Sequence, residues 1–310
     1  MTIAPSYRRG ICLRSFGLVL ALCALFLAGV TAHAQAESPL EPARPKPHLG
    51  PTGYSDLPGN YLAGRFAYRQ RDVTSAAKYY QEVLTEDSEN RALVQRTLVL
   101  TVQDGRIASA TVLAKRLVVL DPKSKIGHLV LIVNAVAQGR LDQAFERLDN
   151  LERNGIYELM APIMEGWVEL GRGSFDAAMA AIEPLSTKQA FEMYHAYHGA
   201  LMATMSGRRD IADKNFGLAL KTVPGGTLRV VMAYGTYLRR EGRTEDAAAL
   251  YENYREHNPE SPWLDSILET INSEKRPDQI VSSARDGMAE ALFGAASALP
   301  NESAGDTGLI

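Results

Sequence analysis

Apolar residues recur at helical spacing along most of the chain, in short segments separated by glycine-containing turns. Between residues 61 and 257 they follow the pattern of helices that bury one face. In one stretch, residues 194–205 predict a helix and residues 211–221 its partner, with a turn at residues 206–209. Gly207 suits the left-handed position that ends the first helix, and Pro224 stops the second. The pattern therefore predicts a series of helical hairpins.

The hairpins are copies of one unit, because the same residue types return at one long period. Six alanines lie 34, 34, 34, 34 and 35 residues apart, at Ala76, Ala110, Ala144, Ala178, Ala212 and Ala247. Glycine stands five positions before the last five of them, at Gly105, Gly139, Gly173, Gly207 and Gly242. A small residue and a helix breaker at a fixed period indicate a supersecondary unit stacked on itself. Each unit then buries its apolar face against its neighbours.

Three further positions of the unit make it resemble the tetratricopeptide repeat, a helix-turn-helix of 34 residues. Twelve residues before the alanines that family has a small residue, found here at Gly64, Gly166, Ala200 and Gly235, whereas Leu98 and Ile132 depart from the rule. Four residues after the alanines it has a large one, found at Tyr80, Leu148, Ile182, Phe216 and Tyr251. Closing prolines stand at Pro122, Pro224 and Pro259. The resemblance implies an all-α, right-handed α-α superhelical solenoid of about six units, residues 58–259, followed by C-terminal helices.

The period fades after Pro259. Residues 263–271 predict one helix, and residues 280–299 predict another with a clear apolar stripe. We interpret residues 260–300 as capping helices or an incomplete further repeat, and residues 301–310 as a disordered tail. The incomplete unit indicates a shortened member of a family whose similar bacterial proteins are longer.

The N-terminal segment has the pattern of a secretory signal peptide. Arg8, Arg9 and Arg14 precede an apolar run at residues 18–30, which is shorter than a membrane-spanning helix. Ala32 and Ala34 form the small-x-small site, so we predict cleavage after Ala34 and export to the periplasm. The alternative is an uncleaved anchor in the inner membrane, facing the periplasm. Six prolines between residues 35 and 60 predict a disordered tether, taken as residues 35–57.

Charge and motifs exclude some classes of function. Lys and Arg total 33 against 36 Asp and Glu, a net charge of -3; without the three arginines of residues 1–34 the counts are 30 and 36, or -6. No basic excess is present to neutralise phosphates, so the sequence predicts no nucleic-acid partner. Both cysteines, Cys12 and Cys23, lie in the predicted signal peptide. No catalytic motif is found, so we expect no enzyme, and no catalytic, cofactor-binding or metal-ligating residues. The less favoured alternative is a metal-dependent hydrolase that uses His195 or His198.

The resemblance also assigns a candidate binding surface, because the first helices of such units line the inner groove of the superhelix. The residues carried over are Tyr68, Arg69, Leu129, Val133, Ile163, Trp167, Tyr194, Tyr197, Leu201, Arg239 and Arg240. The middle of this groove is apolar and its ends are basic. It suits an amphipathic helix or an extended segment with acidic flanks, and Trp167 is the expected anchor. Two alternatives stay open: the residues form the core, or the predicted helix at residues 280–299 occupies the groove.

The sequence thus predicts a non-catalytic scaffold that binds a protein or peptide partner. Its association with a membrane would depend on that partner or on an uncleaved signal. An alternative is an adaptor in an exopolysaccharide secretion or cell-envelope assembly complex, in which Tyr194, Tyr197 and Trp167 would stack on saccharides.

Overall fold

A computed structural model describes residues 56–223, 225–271 and 276–298. The predicted signal peptide with its cleavage site at Ala32 and Ala34, the tether up to residue 55, Pro224 and the tail lie outside the described residues. Within the described part the chain forms fourteen α-helices and no strand, so the all-α prediction is confirmed.

The helices follow one another as hairpins. They are α1 (Leu57–Arg69), α2 (Val73–Glu86), α3 (Arg91–Gln103), α4 (Ile107–Leu120), α5 (Lys125–Ala137), α6 (Leu141–Leu148), α7 (Tyr157–Gly171), α8 (Phe175–Ile182), α9 (Glu192–Met205), α10 (Arg209–Lys221), α11 (Leu228–Arg240), α12 (Thr244–His257), α13 (Pro262–Glu269) and α14 (Ala284–Ala298). From α1 to α12, each helix packs against the following one. This succession of local contacts makes the fold a helical solenoid.

Small residues allow the two helices of a unit to approach closely. All six periodic alanines are completely buried, with 0% exposure. A Cβ atom on Gly64 would lie 3.1 Å from the ring of Tyr80, and one on Gly235 would overlap the phenol of Tyr251. Ala200 and Phe216, sixteen residues apart like those pairs, are also fully buried. The large residue of the second helix therefore fills the space left by the small residue of the first.

The turns between paired helices use the left-handed backbone region. Gly207 has φ 67°, and Arg208 N–H donates to the Ala203 carbonyl at 2.9 Å, which closes the end of α9. The other four periodic glycines also have positive φ. In the first unit Arg71 takes this place with φ 59°, the sole non-glycine residue with positive φ in the described part of the chain. Its Cβ atom makes that conformation less favourable than it is for glycine.

The third and fourth units depart from the regular hairpin. Their second helices, α6 and α8, have 8 residues each, against 13 or 14 in the other units. After α8 the chain continues in two 3-10 turns, Glu183–Thr187 and Gln189–Phe191. Pro184 stands at the start of the first turn, where its missing N–H ends the α-helical hydrogen bonding.

The C-terminal helix does not add another layer to the array. It begins at Ala284 rather than at residue 280, because Ser283 Oγ accepts from Asp286 N–H at 3.1 Å and Asp286 accepts from Ser282 N–H at 3.0 Å. α14 instead packs on α5, α7 and α9, the first helices of three successive units. The preceding residues Ile280 and Val281 pack beside α9 and α11. None of the described helices is both long and apolar enough to span a membrane.

Candidate partner-binding groove

The structure collects the central predicted groove residues beneath the chain's own C-terminal helix. Leu129 and Val133 lie in α5, Ile163 and Trp167 in α7, and Tyr194, Tyr197 and Leu201 in α9. We call the surface formed by these seven residues the covered groove. Most of them are buried, and Trp167 is completely inaccessible. Both alternatives left by the sequence describe part of this arrangement: α14 lies on the groove, and five of the seven residues belong to the buried hydrophobic clusters. Use of these residues by a partner stays a prediction.

Trp167 sits at the centre of the contact with α14. Its indole Nε1–H donates to His198 Nδ1 at 3.1 Å, a buried hydrogen bond between α7 and α9. This bond fixes the orientation of the indole. Gly287 of α14 lies directly on the ring, because a Cβ atom there would overlap the ring atoms. A helix in this groove therefore needs glycine opposite Trp167.

A second contact joins α14 to α9 and α11 through a buried carboxylate. Glu290 is only 4% exposed. Arg229 donates to it from Nε at 2.7 Å and from the terminal nitrogen Nη2, and Tyr197 donates from its hydroxyl at 2.9 Å. The guanidinium and the carboxylate thus form a two-pronged ion pair, the strongest geometry for this pair of groups.

The buried position shifts the proton affinities of the groups around this carboxylate. Burial lowers the pKa of His198 to about 4, which outweighs the opposing effect of the negative charge on Glu290. Burial raises the pKa of Glu290, but hydrogen bonds from Arg229 and Tyr197 lower it more, and the pKa lies below its ordinary value. Burial and the neighbouring Glu290 raise the pKa of Tyr197. At neutral pH the groove therefore holds a neutral imidazole and an ionised carboxylate.

The remaining contacts of α14 are apolar. Met288 and Ala295 are buried in one cluster with Leu129 and Met160, and Leu292 packs against it. On the other side Ala291 belongs to the cluster that contains Trp167. The helix thus buries a stripe of mostly small side chains in the covered groove.

The covered groove is incompletely filled. A cavity of about 450 Å³ lies between α9, α11 and α14, lined by Tyr194, Arg229, Phe293 and Gly294 among others. Phe293 is 56% exposed at its edge, with the Arg229 guanidinium 5.2 Å from the centre of its ring. The cavity is mainly apolar. It leaves unfilled apolar space beside Gly294 of α14.

Nearer the N-terminal units, the inner surface is open and basic. A cavity of about 670 Å³ lies between α3, the turn after α4 and the starts of α5 and α7. Its charged residues are Arg91, Arg96, Lys123, Lys125 and Asp121. Arg91 pairs with Asp121 at 3.3 Å and Lys123 with Glu152 at 3.7 Å, whereas Arg96 and Lys125 leave a positive balance. Tyr68 and Arg69, also predicted for the groove, lie exposed at the end of α1.

The predicted basic end of the groove contacts the chain's own C-terminal segment. Arg239 donates to the Thr270 carbonyl at 3.4 Å, and Arg240 donates to the Pro277 carbonyl at 2.6 Å. These arginines were predicted to meet acidic flanks of a partner. In the structure they donate to backbone oxygens of the chain's own C-terminal segment, and their contact with a partner stays a prediction.

Nothing in the described residues groups three His, Cys, Asp or Glu side chains at a position to hold a metal ion. His198 is engaged with Trp167, and His195 Nε2 lies 3.5 Å from a Glu183 carboxylate oxygen. The two histidines that suggested a hydrolase therefore have different partners.

The sequence did not single out Gly287 and Glu290, although Gly287 lies on the Trp167 ring and the Glu290 carboxylate accepts from Arg229 and Tyr197. One signal was present: Glu290 interrupts the small and apolar residues of its helix beside the stripe. A carboxylate at such a position needs a partner once the helix is buried. Arg229 in α11 is that partner.

Comparison with known proteins supports the fold. The structure is similar to that of PilW, described as a widely conserved type IV pilus biogenesis factor, with a TM-score of 0.52 and 14% identity over 69% of this chain and 99% of PilW. It also resembles MamA, with a TM-score of 0.47 and 23% identity over 54% of this chain and 91% of MamA. PilW is a tetratricopeptide-repeat protein. No family model and no curated protein matches the chain. The fold is that of a tetratricopeptide-like solenoid.

Proposed function

We propose that this protein is a non-catalytic scaffold that binds a helix of a partner protein through the covered groove. The observation that carries the proposal is the seating of α14: the groove accommodates a helix along α5, α7 and α9. Amphipathic helices are a recurrent ligand of such grooves. Trp167 supplies a rigid aromatic floor, and Arg229 supplies a charge that selects an acidic side chain.

We further propose that the scaffold acts in the periplasm. Support comes from the arginines, the apolar run and the Ala32–Ala34 site at the start of the sequence. Mass spectrometry of the protein purified from its native host tests this. A mature chain that begins at Gln35 agrees with export and cleavage, whereas a chain that retains residues 1–34 in the cytoplasm contradicts it.

Photo-crosslinking in living cells tests partner binding. Tyr194, which lines the cavity beside α14, is replaced by the aromatic crosslinker p-benzoylphenylalanine. The matched control is the same replacement at Tyr79, an exposed tyrosine on the second helix α2. We expect a discrete adduct with a second protein from position 194 and none from position 79. No adduct at 194, or the same adduct at both positions, contradicts the proposal.

A further inference from the structure

We propose that α14 occupies the covered groove until a helix of a partner protein replaces it. The partner helix binds more tightly than α14 at one position, that of Gly294, where its larger side chain fills the cavity. The replacing helix carries a glycine against Trp167, a carboxylate three residues later against Arg229 and Tyr197, and a large apolar residue seven positions after the glycine. This inference rests on the proposed function and specifies the partner's chemistry.

The first two requirements are read directly from α14. Gly287 leaves no room for a Cβ atom above the indole, so a bulky residue there excludes the helix. Glu290 neutralises Arg229 and accepts from Tyr197. A helix without that carboxylate would leave the phenol and the guanidinium without their buried acceptor, which is costly. Both requirements restrict the helices that can enter.

The third requirement follows from what α14 does not fill. Gly294 lies seven residues after Gly287, on the same face of the helix, and lines the cavity of about 450 Å³. The nearest atom to a Cβ on Gly294 is Cε1 of Tyr194 at 3.5 Å, an ordinary contact. A long, flexible side chain at this position can therefore extend into the apolar space and bury additional surface.

α14 itself has the composition of a helix that can be displaced. Its sequence ARDGMAEALFGAASA contains six alanines and two glycines among 15 residues. Each interior glycine lowers helix stability by about 1 kcal/mol relative to alanine. Only Met288 and Leu292 bring large apolar side chains to the groove, since Phe293 is mostly exposed. Its advantage is that it belongs to the same chain, which gives it a high effective concentration at the groove.

Peptide binding to the unmodified full-length protein tests the proposal, so that no variant of the protein has to fold. The probe is a fluorescein-labelled peptide of residues 280–298 that carries Gly294→Met, and binding is followed by fluorescence anisotropy. Controls are the same peptide without Gly294→Met, with Gly287→Leu added, and with Glu290→Gln added. Hydrogen exchange of α14 in the protein is measured in parallel.

We expect the Gly294→Met peptide to bind at least about tenfold more tightly than the peptide of natural sequence, since 1.4 kcal/mol of added burial gives that factor. Added Gly287→Leu should abolish binding, added Glu290→Gln should weaken it about tenfold, and exchange of α14 should accelerate when the peptide binds. Equal binding of all four peptides, absence of binding, or binding that leaves the exchange of α14 unchanged overturns the proposal.

The photo-crosslinking test and the peptide-binding test have outcomes that can be told apart. Adducts from position 194 in cells without peptide displacement would overturn the replacement of α14 but keep the scaffold function. Displacement by the peptide without adducts in cells would overturn the scaffold function, and with it the partner as replacing helix, and would keep only the finding that α14 can be exchanged for another helix.

Discussion

Two glycines of α14 give opposite expectations for one chemical change, the addition of a methyl group. Alanine is preferred to glycine inside a helix, so Gly→Ala alone should stabilise α14 at either position. The atoms around each glycine decide whether the added methyl group stabilises or destabilises the docked helix. Gly287 faces the Trp167 indole without space for a Cβ atom, whereas at Gly294 the nearest atom lies 3.5 Å from the added carbon.

The magnitudes follow from these distances. At position 294 the docked helix should gain about 0.5–1 kcal/mol, the usual benefit of replacing an interior helical glycine. At position 287 the overlap must be relieved by moving an indole that His198 holds in place, and such overpacking costs about 1–3 kcal/mol. After subtraction of the helical gain, Gly287→Ala should destabilise docking by up to about 2 kcal/mol.

Native-state hydrogen exchange of residues 284–298 measures the effects of Gly287→Ala and Gly294→Ala on α14 itself. A repeat array need not unfold in one step, so a probe within α14 reports the docking of this helix more directly than the unfolding of the whole protein does. Gly287→Ala should accelerate exchange of α14 by up to about 30-fold, and Gly294→Ala should slow it by about two- to fivefold, with exchange of α4 unchanged in both. A change in the same direction for both variants would refute the close contact between Gly287 and Trp167.

Three other predictions concern the array and its buried groups, and each is measured by thermal unfolding followed by circular dichroism. Gly235→Ala should lower the unfolding temperature, because the added Cβ atom overlaps Tyr251. Gly217→Ala, with open space around the added atom, should raise the unfolding temperature slightly. Equal shifts would contradict the close packing of Gly235 against Tyr251. Arg71→Gly should stabilise the first unit by about 1 kcal/mol, since glycine adopts its positive φ without penalty, and a loss of stability would refute this. His198 has a pKa of about 4 in the folded protein and about 6.5 when unfolded, so the unfolded chain takes up the proton first as pH falls. The contribution of His198 to the free energy of unfolding is therefore full above pH 6.5, and up to about 3 kcal/mol of it is lost on acidification towards pH 4. His198→Asn should reduce this dependence of the free energy of unfolding on pH. An unchanged pH dependence would contradict the low pKa of His198 in the folded protein.

The sequence was sufficient for the repeat architecture because its determinants are local and periodic. A buried alanine such as Ala212 and a turn glycine such as Gly207 act within a single hairpin, and 34 residues later the same geometry returns. Arg71 was not predicted as the turn residue of the first unit, because an arginine in the left-handed region depends on the surrounding hairpin. The shortened α8 depends on Pro184, which lies outside the repeat pattern.

The placement of the C-terminal helix could not be derived in the same way. Its apolar stripe shows that one face is buried, but many surfaces of the protein could cover such a stripe. The choice depends on contacts far apart in sequence, such as Glu290 with Arg229 over 61 residues and with Tyr197 over 93 residues. Once the helix is placed, Glu290 accepts the hydrogen bonds that Arg229 and Tyr197 donate, so each buried group has its partner. Before that, the glutamate resembles any other polar residue of a surface helix.

A double-mutant cycle between Arg229 and Glu290 tests most directly whether the groove holds its own C-terminal helix. The free energy of unfolding is measured for Arg229→Gln, Glu290→Gln, the double variant and the unmodified protein. If α14 lies in the groove, the two substitutions are coupled by about 1–3 kcal/mol, because either one alone breaks the same buried ion pair. Additivity within about 0.5 kcal/mol would show that the two side chains do not meet and would contradict the occupied groove.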